Sequence, residues 1–272
     1  MILLLYAGLP TWPSVLLLSG AGLVAVACME RLAPYRAEWL DDHDDTRTDA
    51  LHLLVNLSVI QFTAELLAQL GQLVPANFRL FPDQSPLWLQ LLVVATVLDL
   101  SLYLMHRASH KTAWLWQFHM THHSAERLYW LNGERRHPLH AMIMAGPAVV
   151  LLIAAGTPPA ILAAWLGILT VHLGFQHANL DYRLGGGRWL FGVAENHRWH
   201  HKREFEDAQV NFGEFFMIWD IAFGSFHNEA GNLGDAEVGL RERAFPRHYL
   251  GQFLWPFRVK PITAMRSDRG SQ

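Results

Sequence analysis

The sequence predicts an all-α fold: a polytopic transmembrane helical bundle with a cytoplasmic, histidine-rich di-metal cap. Three observations predict it. Hydrophobic residues make up 51% of the 272 residues and charged residues only 17%, below the roughly 25% typical of a soluble domain. Five apolar runs approach or reach the roughly 20 residues that cross a bilayer. Of 16 histidines, twelve fall between His106 and His201, eight of them in tight clusters. The small net charge of −3 speaks against a nucleic-acid partner, and the single Cys28 excludes an internal disulfide.

The apolar runs follow in order. Ser14–Met29 carries no charge before Glu30, and with its continuation to Ala33 it is the first span. No basic segment precedes Ile2–Leu5, and Pro10, Trp12 and Pro13 interrupt the apolar start, so the run is expected to be a retained helix, not a cleaved signal. Leu51–Val74 carries His52, Asn56, Gln61, Glu65 and Gln69, several of which share one helical stripe expected to face protein. Pro86–Met105 has Asp99 as its only formal charge. Ala141–Gly156 and Ala160–Gln176 are joined by Thr157-Pro158-Pro159, a turn signal, and read as a hairpin.

This arrangement puts the loop after the first run, residues 106–140 and everything after His177 on one side. Of the 21 Lys and Arg residues, only Arg79 falls on the other. The positive-inside rule makes the histidine side cytoplasmic. The organisation is therefore membrane helices over 1–98, a catalytic region over 99–226 that includes the hairpin near 141–176, and a polar tail over 227–272. Gly185-Gly186-Gly187 reads as a flexible turn, since no Gly-Lys-Ser follows to make a phosphate loop. Trp114, Trp116, Tyr129 and Trp130 read as an interfacial aromatic belt.

The chemistry lies in three boxes: His106 and His110 as HxxxH, His119, His122 and His123 as HxxHH, and His197, His200 and His201 as a second HxxHH. On a helix, positions i, i+3 and i+4 lie on one face, so each box is expected to present its imidazoles to a common point. Neutral imidazole suits iron, zinc, copper and nickel, and eight clustered histidines exceed the needs of one ion. No His-Glu-x-x-His zinc-peptidase motif is present.

In these boxes the chain resembles the fatty acid hydroxylase/sterol desaturase superfamily, over roughly Asp99 to Phe226. His177, in Phe175-Gln-His-Ala-Asn179, matches a further histidine that the family carries before its last box. Ser124-Ala-Glu126 with Asn132, Arg135-Arg-His-Pro138, Asn211-Phe-Gly213, Trp219-Asp220 and Phe223-Gly224 also match. The chain departs at His140, where close members often carry an acidic residue. It departs again at Leu173, where some branches carry a histidine that the neighbouring His172 could replace.

The resemblance implies a metal set of His106, His110, His119, His122, His123, His177, His197, His200 and His201. It leaves His137, His140 and His172 open as further ligands, with His137 in a supporting position. Glu126, Asn179, Glu195 and Asn211 are candidates for orienting the metal-bound imidazoles. His43, His52, His227 and His248 read as ordinary polar residues.

By resemblance the metals are two iron ions, with zinc as a substitute in purified protein and O2 as co-substrate. The implied reaction hydroxylates or desaturates a lipid in the bilayer. No GxGxxG fingerprint or cysteine set for an iron–sulfur cluster is present, so a separate cytochrome or ferredoxin with its reductase is implied. The compact length favours a bacterial inner membrane. The alternatives are a desaturase or sterol methyl oxidase, an alkylglycerol-type ether monooxygenase, a membrane zinc hydrolase acting on a lipid, and a metal-binding or transport protein.

Overall fold

The computed structural model describes residues 8, 11–73, 75, 79–229, 233, 237–241 and 244–259. The Ile2–Leu5 run, Pro10, Val74 and the end of the polar tail lie outside the described residues. Among the described residues no strand forms, only two isolated bridges, Phe191–Phe216 and Lys202–Val238.

Five long helices make the bundle: α1 (Thr11–Leu32), α2 (Thr46–Gly71), α3 (Leu87–Lys111), α5 (Pro138–Ala154) and α6 (Pro159–Gln176). Between α3 and α5 lie the short α4 (Ala113–His123) and a 3₁₀ turn (Trp130–Glu134); α7 (Ala194–His200), α8 (Ile218–Phe223) and α9 (Tyr249–Arg258) follow the bundle. By length and composition α1, α3 and α6 can each cross a membrane, whereas α5 is a shorter apolar helix.

The main core joins α3, α5 and α6 through Leu91, Val94, Leu98, Met144, Leu152, Ile161, Trp165 and Leu169. Pro159 sits at the first turn of α6, where its missing N–H breaks no helical hydrogen bond, so the proline pair ends one helix and starts the next. Chain direction alternates. The backbone N–H groups of Leu80 and Phe81 donate to the Ala155 carbonyl, joining the α2–α3 loop to the α5–α6 turn at one end. Arg79 packs on Gly156 at that same end. The carboxy ends of α1, α3 and α6 and the amino ends of α2 and α5 gather at the other.

Helix α2 departs from the expected stripe. Asp49, His52 and Asn56 are buried, but Gln61, Glu65 and Gln69 are exposed. Only the first turns of α2 meet polar protein. His52 bonds to the Arg136 carbonyl and to Gln252 Oε1, and Asn56 Nδ2 donates to the Glu134 and Arg136 carbonyls. His52 is thus a buried clasp between α2, the 3₁₀ turn and α9. The same turn approaches α6 so closely that a Cβ at Gly133 would lie 2.7 Å from the Leu173 backbone.

Buried carboxylates tie the loops to the bundle. Glu30 accepts the backbone N–H groups of Trp130 and Asn179. Asp99 accepts those of Phe215 and Phe216 and the Trp219 indole N–H. Asp49 accepts from Tyr129, Asn132 and Arg135. These partners give each charge inside the apolar helices a structural role, where unpaired burial would be costly.

Candidate metal centre

Three helices and one loop bring the imidazoles together. Helix α3 runs past its apolar stretch to Lys111 and so carries His106 and His110 on one rigid rod. Helix α4 supplies His119, His122 and His123, α7 and its end supply His197, His200 and His201, and His177 caps α6. All nine are buried. They form two groups: His106, His110, His119, His123 and His200, and His122, His177, His197 and His201, with the possible ligand atoms of each group within 4.8 Å of one another.

The grouping corrects one expectation. Each HxxHH box does not converge on a single point. His119 and His123 enter the first group while His122 enters the second; His197 and His201 enter the second while His200 enters the first. At about 100° per residue, i and i+4 differ by about 40°, but neighbouring residues diverge by about 100°. Each box therefore keeps its i, i+4 pair together and sends its middle histidine across to the other group.

Nitrogen geometry tests whether metal fits. The Nδ1 atoms of His177 and His122 face the carbonyls of Leu173 at 2.8 Å and Arg135 at 3.3 Å. A carbonyl only accepts, so both rings carry their proton on Nδ1. Their bare Nε2 lone pairs then face each other at 3.3 Å. Two lone pairs at that distance repel unless a cation lies between them. The Nδ1 atoms of His106 and His200 likewise face the Phe212 and Val210 carbonyls, leaving buried Nε2 atoms with no partner. Other Nε2 pairs stand at 3.1 Å (His110–His123), 3.2 Å (His119–His123), 3.1 Å (His177–His197) and 3.0 Å (His197–His201). Ligands about 2.1 Å from one ion stand about 3.0 Å apart at right angles and about 3.4 Å apart in a tetrahedron. The nitrogen set therefore fits bound metal.

Burial, and next the neighbouring imidazoles, hold His123, His197 and His201 well below the ordinary imidazole pKa. They are neutral near pH 7, as metal ligation requires. In the unfolded chain each would titrate near about 6.5. Their contribution to stability is therefore present above about pH 6.5 and is lost as pH falls towards the depressed folded values, at up to about 1.4 kcal/mol per pH unit for each ring. Thermal midpoint and bound metal are expected to be level from pH 8.5 to 7 and to fall steeply below about 6.5. A midpoint unchanged down to pH 5 would contradict a neutral, buried histidine set.

The other predicted residues fall elsewhere. Neither group includes His137, His140 or His172. His137 caps α5 through Leu139 N–H and bonds to the Phe253 carbonyl. His140 lies beside His119, ring centroids 4.7 Å apart. Ser109 Oγ gives its proton to the Met105 carbonyl and so accepts from His140 Nε2 at 2.8 Å; His140 Nδ1 is buried without a partner.

Glu126, Asn179, Glu195 and Asn211 form no hydrogen bond to any imidazole of the two groups among the described residues, which corrects their expected orienting role. Glu126 is exposed and lies 4.0 Å from Arg247. Asn179 brackets the Arg36 backbone. Glu195 accepts from Leu184 N–H and Arg188. Asn211, at φ 52°, ties the Asn196 carbonyl to the His227 backbone. Asn179, Glu195 and Asn211 fasten loop backbone; backbone carbonyls face Nδ1 of His106, His122, His177 and His200, and the Nδ1 atoms of His119, His197 and His201 are buried without a partner.

Sequence reasoning missed Glu214 and Gln209. Glu214 Oε1 lies 3.4 Å from His106 Nδ1, and its Oε2 accepts from Arg136 at 2.7 Å. Gln209 Nε2 lies 3.1 Å from His110 Nδ1. The one available signal was a lone carboxylate in the apolar stretch Phe212–Met217. The aromatic belt also needs correction: Trp114 is exposed, but Trp116 is buried against His110 and His123, and Tyr129 is buried on Asp49.

Fold and site together define a helical membrane protein with a buried, paired histidine site suited to metal. The fatty acid hydroxylase family model matches residues 91–225. The chain is similar to an ornithine lipid hydroxylase of Rhizobium tropici, 30% identical over 258 residues, which cover 92% of this chain and 76% of that protein. The chain therefore belongs to the fatty acid hydroxylase family, whose members among its relatives act on lipids. It is also similar to the alkylglycerol monooxygenase of Danio rerio, 26% identical over 204 residues (68% of this chain, 44% of that protein). The alkylglycerol monooxygenase of Homo sapiens is 28% identical over 158 residues (56% and 34%). The chain thus spans less than half the length of these two monooxygenases. No solved structure matches the chain.

Proposed function

We propose that the protein is a di-iron monooxygenase that hydroxylates a membrane lipid of the ornithine-lipid type, with its site on the cytoplasmic side of a bacterial inner membrane. The observation that carries the reading is the pair of bare imidazole lone pairs, His122 and His177, facing each other at 3.3 Å within one of two adjoining histidine groups. His106, His110, His119, His123 and His200 would hold one iron; His122, His177, His197 and His201 would hold the other. Bound iron would supply O2 activation and removal of a hydrogen atom from an unactivated C–H bond.

The chain's own residues set the conditions. Carbonyls of Phe212, Arg135, Leu173 and Val210 fix which ring nitrogen faces inward. Glu214 balances Arg136 and sets its other carboxylate oxygen 3.4 Å from His106 Nδ1, whose proton the Phe212 carbonyl takes. Trp116 and Phe212 are buried beside the rings and exclude water. One oxygen atom enters the lipid and the other leaves as water, so a separate electron-transfer protein supplies an electron pair. Similarity to the ornithine lipid hydroxylase, 76% of whose length is matched, supports the ornithine-lipid class; the cytoplasmic side is supported by the single Lys or Arg, Arg79, at the far end.

A second reading, ether cleavage of alkylglycerols by the same site, is favoured by similarity to the alkylglycerol monooxygenases. Metal analysis and Mössbauer spectroscopy of anaerobically purified, iron-57-enriched protein test the first claim, and product analysis separates the substrates. About two irons per chain in a coupled, nitrogen-rich site are expected. Zinc alone from iron-replete cells, with no O2 consumption on reduction, would point to the hydrolase instead.

A further inference from the structure

We propose that a polar pocket at the histidine end of the bundle holds the headgroup of the lipid substrate and recognises it as a zwitterion, by one carboxylate and one ammonium. The pocket lies between the start of α2, the end of α4 and the segment that leads into α9. The inference rests on the lipid-hydroxylase reading and names the residues that select the headgroup.

The pocket has a volume of about 310 Å³, at the small end of the range for ligand sites. Three carboxylates line it, Asp44, Asp45 and Glu126, with three guanidiniums, Arg135, Arg203 and Arg247. A balanced set complements a zwitterion, whereas a phosphate or a polyamine would meet groups of its own sign. An ornithine headgroup acylated at one nitrogen keeps a free carboxylate and one free amine, which is this charge pattern.

Two of the six side chains are already committed. Asp45 pairs with Arg127 at 2.7 Å, and Arg203 pairs with Glu237. What remains carries both signs. Arg135 is a buried guanidinium, its side chain 4% exposed. Its Nε donates to Ser124 Oγ and its Nη1 to Asp49. Among the described residues Nη2 meets no acceptor, and it is left facing the pocket. A guanidinium edge held this rigidly suits a carboxylate. At the rim, Asp44 is exposed and makes no hydrogen bond or ion pair among the described residues. Glu126 and Arg247 are also exposed and stand 4.0 Å apart, too far for a hydrogen bond. The headgroup carboxylate therefore goes to Arg135 and the ammonium to Asp44.

Two features make the occupant a lipid and not a free amino acid. Thr48 Oγ donates to the Arg247 carbonyl and Gln252 Nε2 to the Pro246 carbonyl, fixing one wall to α2 and α9. That wall runs on into α9, where Leu250 and Phe257, seven residues apart, are exposed on one face. An apolar stripe at the end of a membrane bundle lies along the bilayer surface, which puts the pocket at headgroup level. The floor also belongs to the frame of the metal centre. The Arg135 carbonyl faces His122 Nδ1 at 3.3 Å, and Ser124 directly follows His123. The headgroup thus sits one residue from a ring of each histidine group.

Native mass spectrometry of the full-length, detergent-purified protein tests this. The probes are an ornithine lipid, the same lipid with its amine acetylated, and the same lipid with its carboxylate methylated. Acetylation should weaken binding about fivefold, the upper end for an exposed ion pair. Methylation should weaken it about tenfold, the loss of one hydrogen bond to a buried charge. Asp44→Asn should bind the free-amine and acetylated lipids equally and still discriminate against the methyl ester. Asparagine tolerates the φ of 61° at this position, so the turn is kept. Arg135→Lys, which retains a charge for Asp49 but loses the fork, should do the reverse; if it does not fold, Asp44→Asn alone decides. Displacement of the lipid by equimolar free ornithine would make this a site for a soluble amino acid and overturn the proposal. An Asp44→Asn protein that still prefers the free amine also overturns it, even with iron bound and O2 consumed. Loss of that preference in a protein that takes up only zinc supports the pocket while the oxygenase reading falls.

Discussion

His123→Ala or His197→Ala is expected to strip at least one metal per chain and to lower turnover by more than about a hundredfold, while the protein still inserts into membranes. His123 Nε2 stands 3.1 Å from His110 Nε2 and 3.2 Å from His119 Nε2. His197 holds the same central place in the second group, 3.1 Å from His177 and 3.0 Å from His201. Losing a residue behind a metal ligand typically costs 10–100-fold in affinity or activity, so losing a central ligand should cost more. Membrane insertion depends on the apolar faces of α1, α3 and α6, which neither substitution touches. His248, exposed at the start of α9, is the control, and His248→Ala should match the unmodified protein. Full metal content in both variants, measured on detergent-purified protein, would remove these rings from the ligand set.

Glu214→Ala is expected to lower stability by about 3–5 kcal/mol, because it leaves the Arg136 guanidinium charged in a buried site. The 2.7 Å Arg136–Glu214 pair has both side chains buried, at 7% and 1% exposure. The Arg136→Met/Glu214→Leu double variant should regain most of that loss, since an apolar pair of similar volume avoids the desolvation cost. It should still bind metal about 10–100-fold more weakly, because the carboxylate oxygen beside His106 is gone. Thermal unfolding in detergent and metal titration separate the two effects. If the double variant recovers metal affinity as well as stability, Glu214 serves Arg136 alone and does not support His106.

Much of the site was legible because its signals are local. The His106/His110 spacing, the two HxxHH boxes and His177 each mark a helix or a helix end, and the structure gathers all nine rings into two groups. The residues that support them were not legible. Asn179, Glu195 and Asn211 look like ligand-orienting groups in sequence, yet they fasten loop backbone. The orienting acceptors are carbonyls of Phe212, Leu173, Arg135 and Val210. Every residue has a carbonyl, so no side-chain pattern marks these four. Glu214 reaches His106 across more than a hundred positions and carries no periodic signature.

By itself the amino-acid sequence determined the helical class, the apolar runs, the end of the bundle that carries charge and histidine, and the boxes. Each of these follows from hydrophobic transfer and from helical geometry within a few residues. Only the tertiary structure decided how the boxes divide. Helical geometry separates His122 from His123 and His200 from His201, but it does not say where each ring goes. The packing of α4 and α7 against α3 and the end of α6 makes each middle histidine complete the opposite group. The structure likewise decided that the polar stripe of α2 stops at Asn56, because the 3₁₀ turn and α9 cover only its first turns, and that His172 packs against Phe215, outside both histidine groups. Such contacts join segments distant in the chain, and their energies depend on a packing that no local spacing encodes.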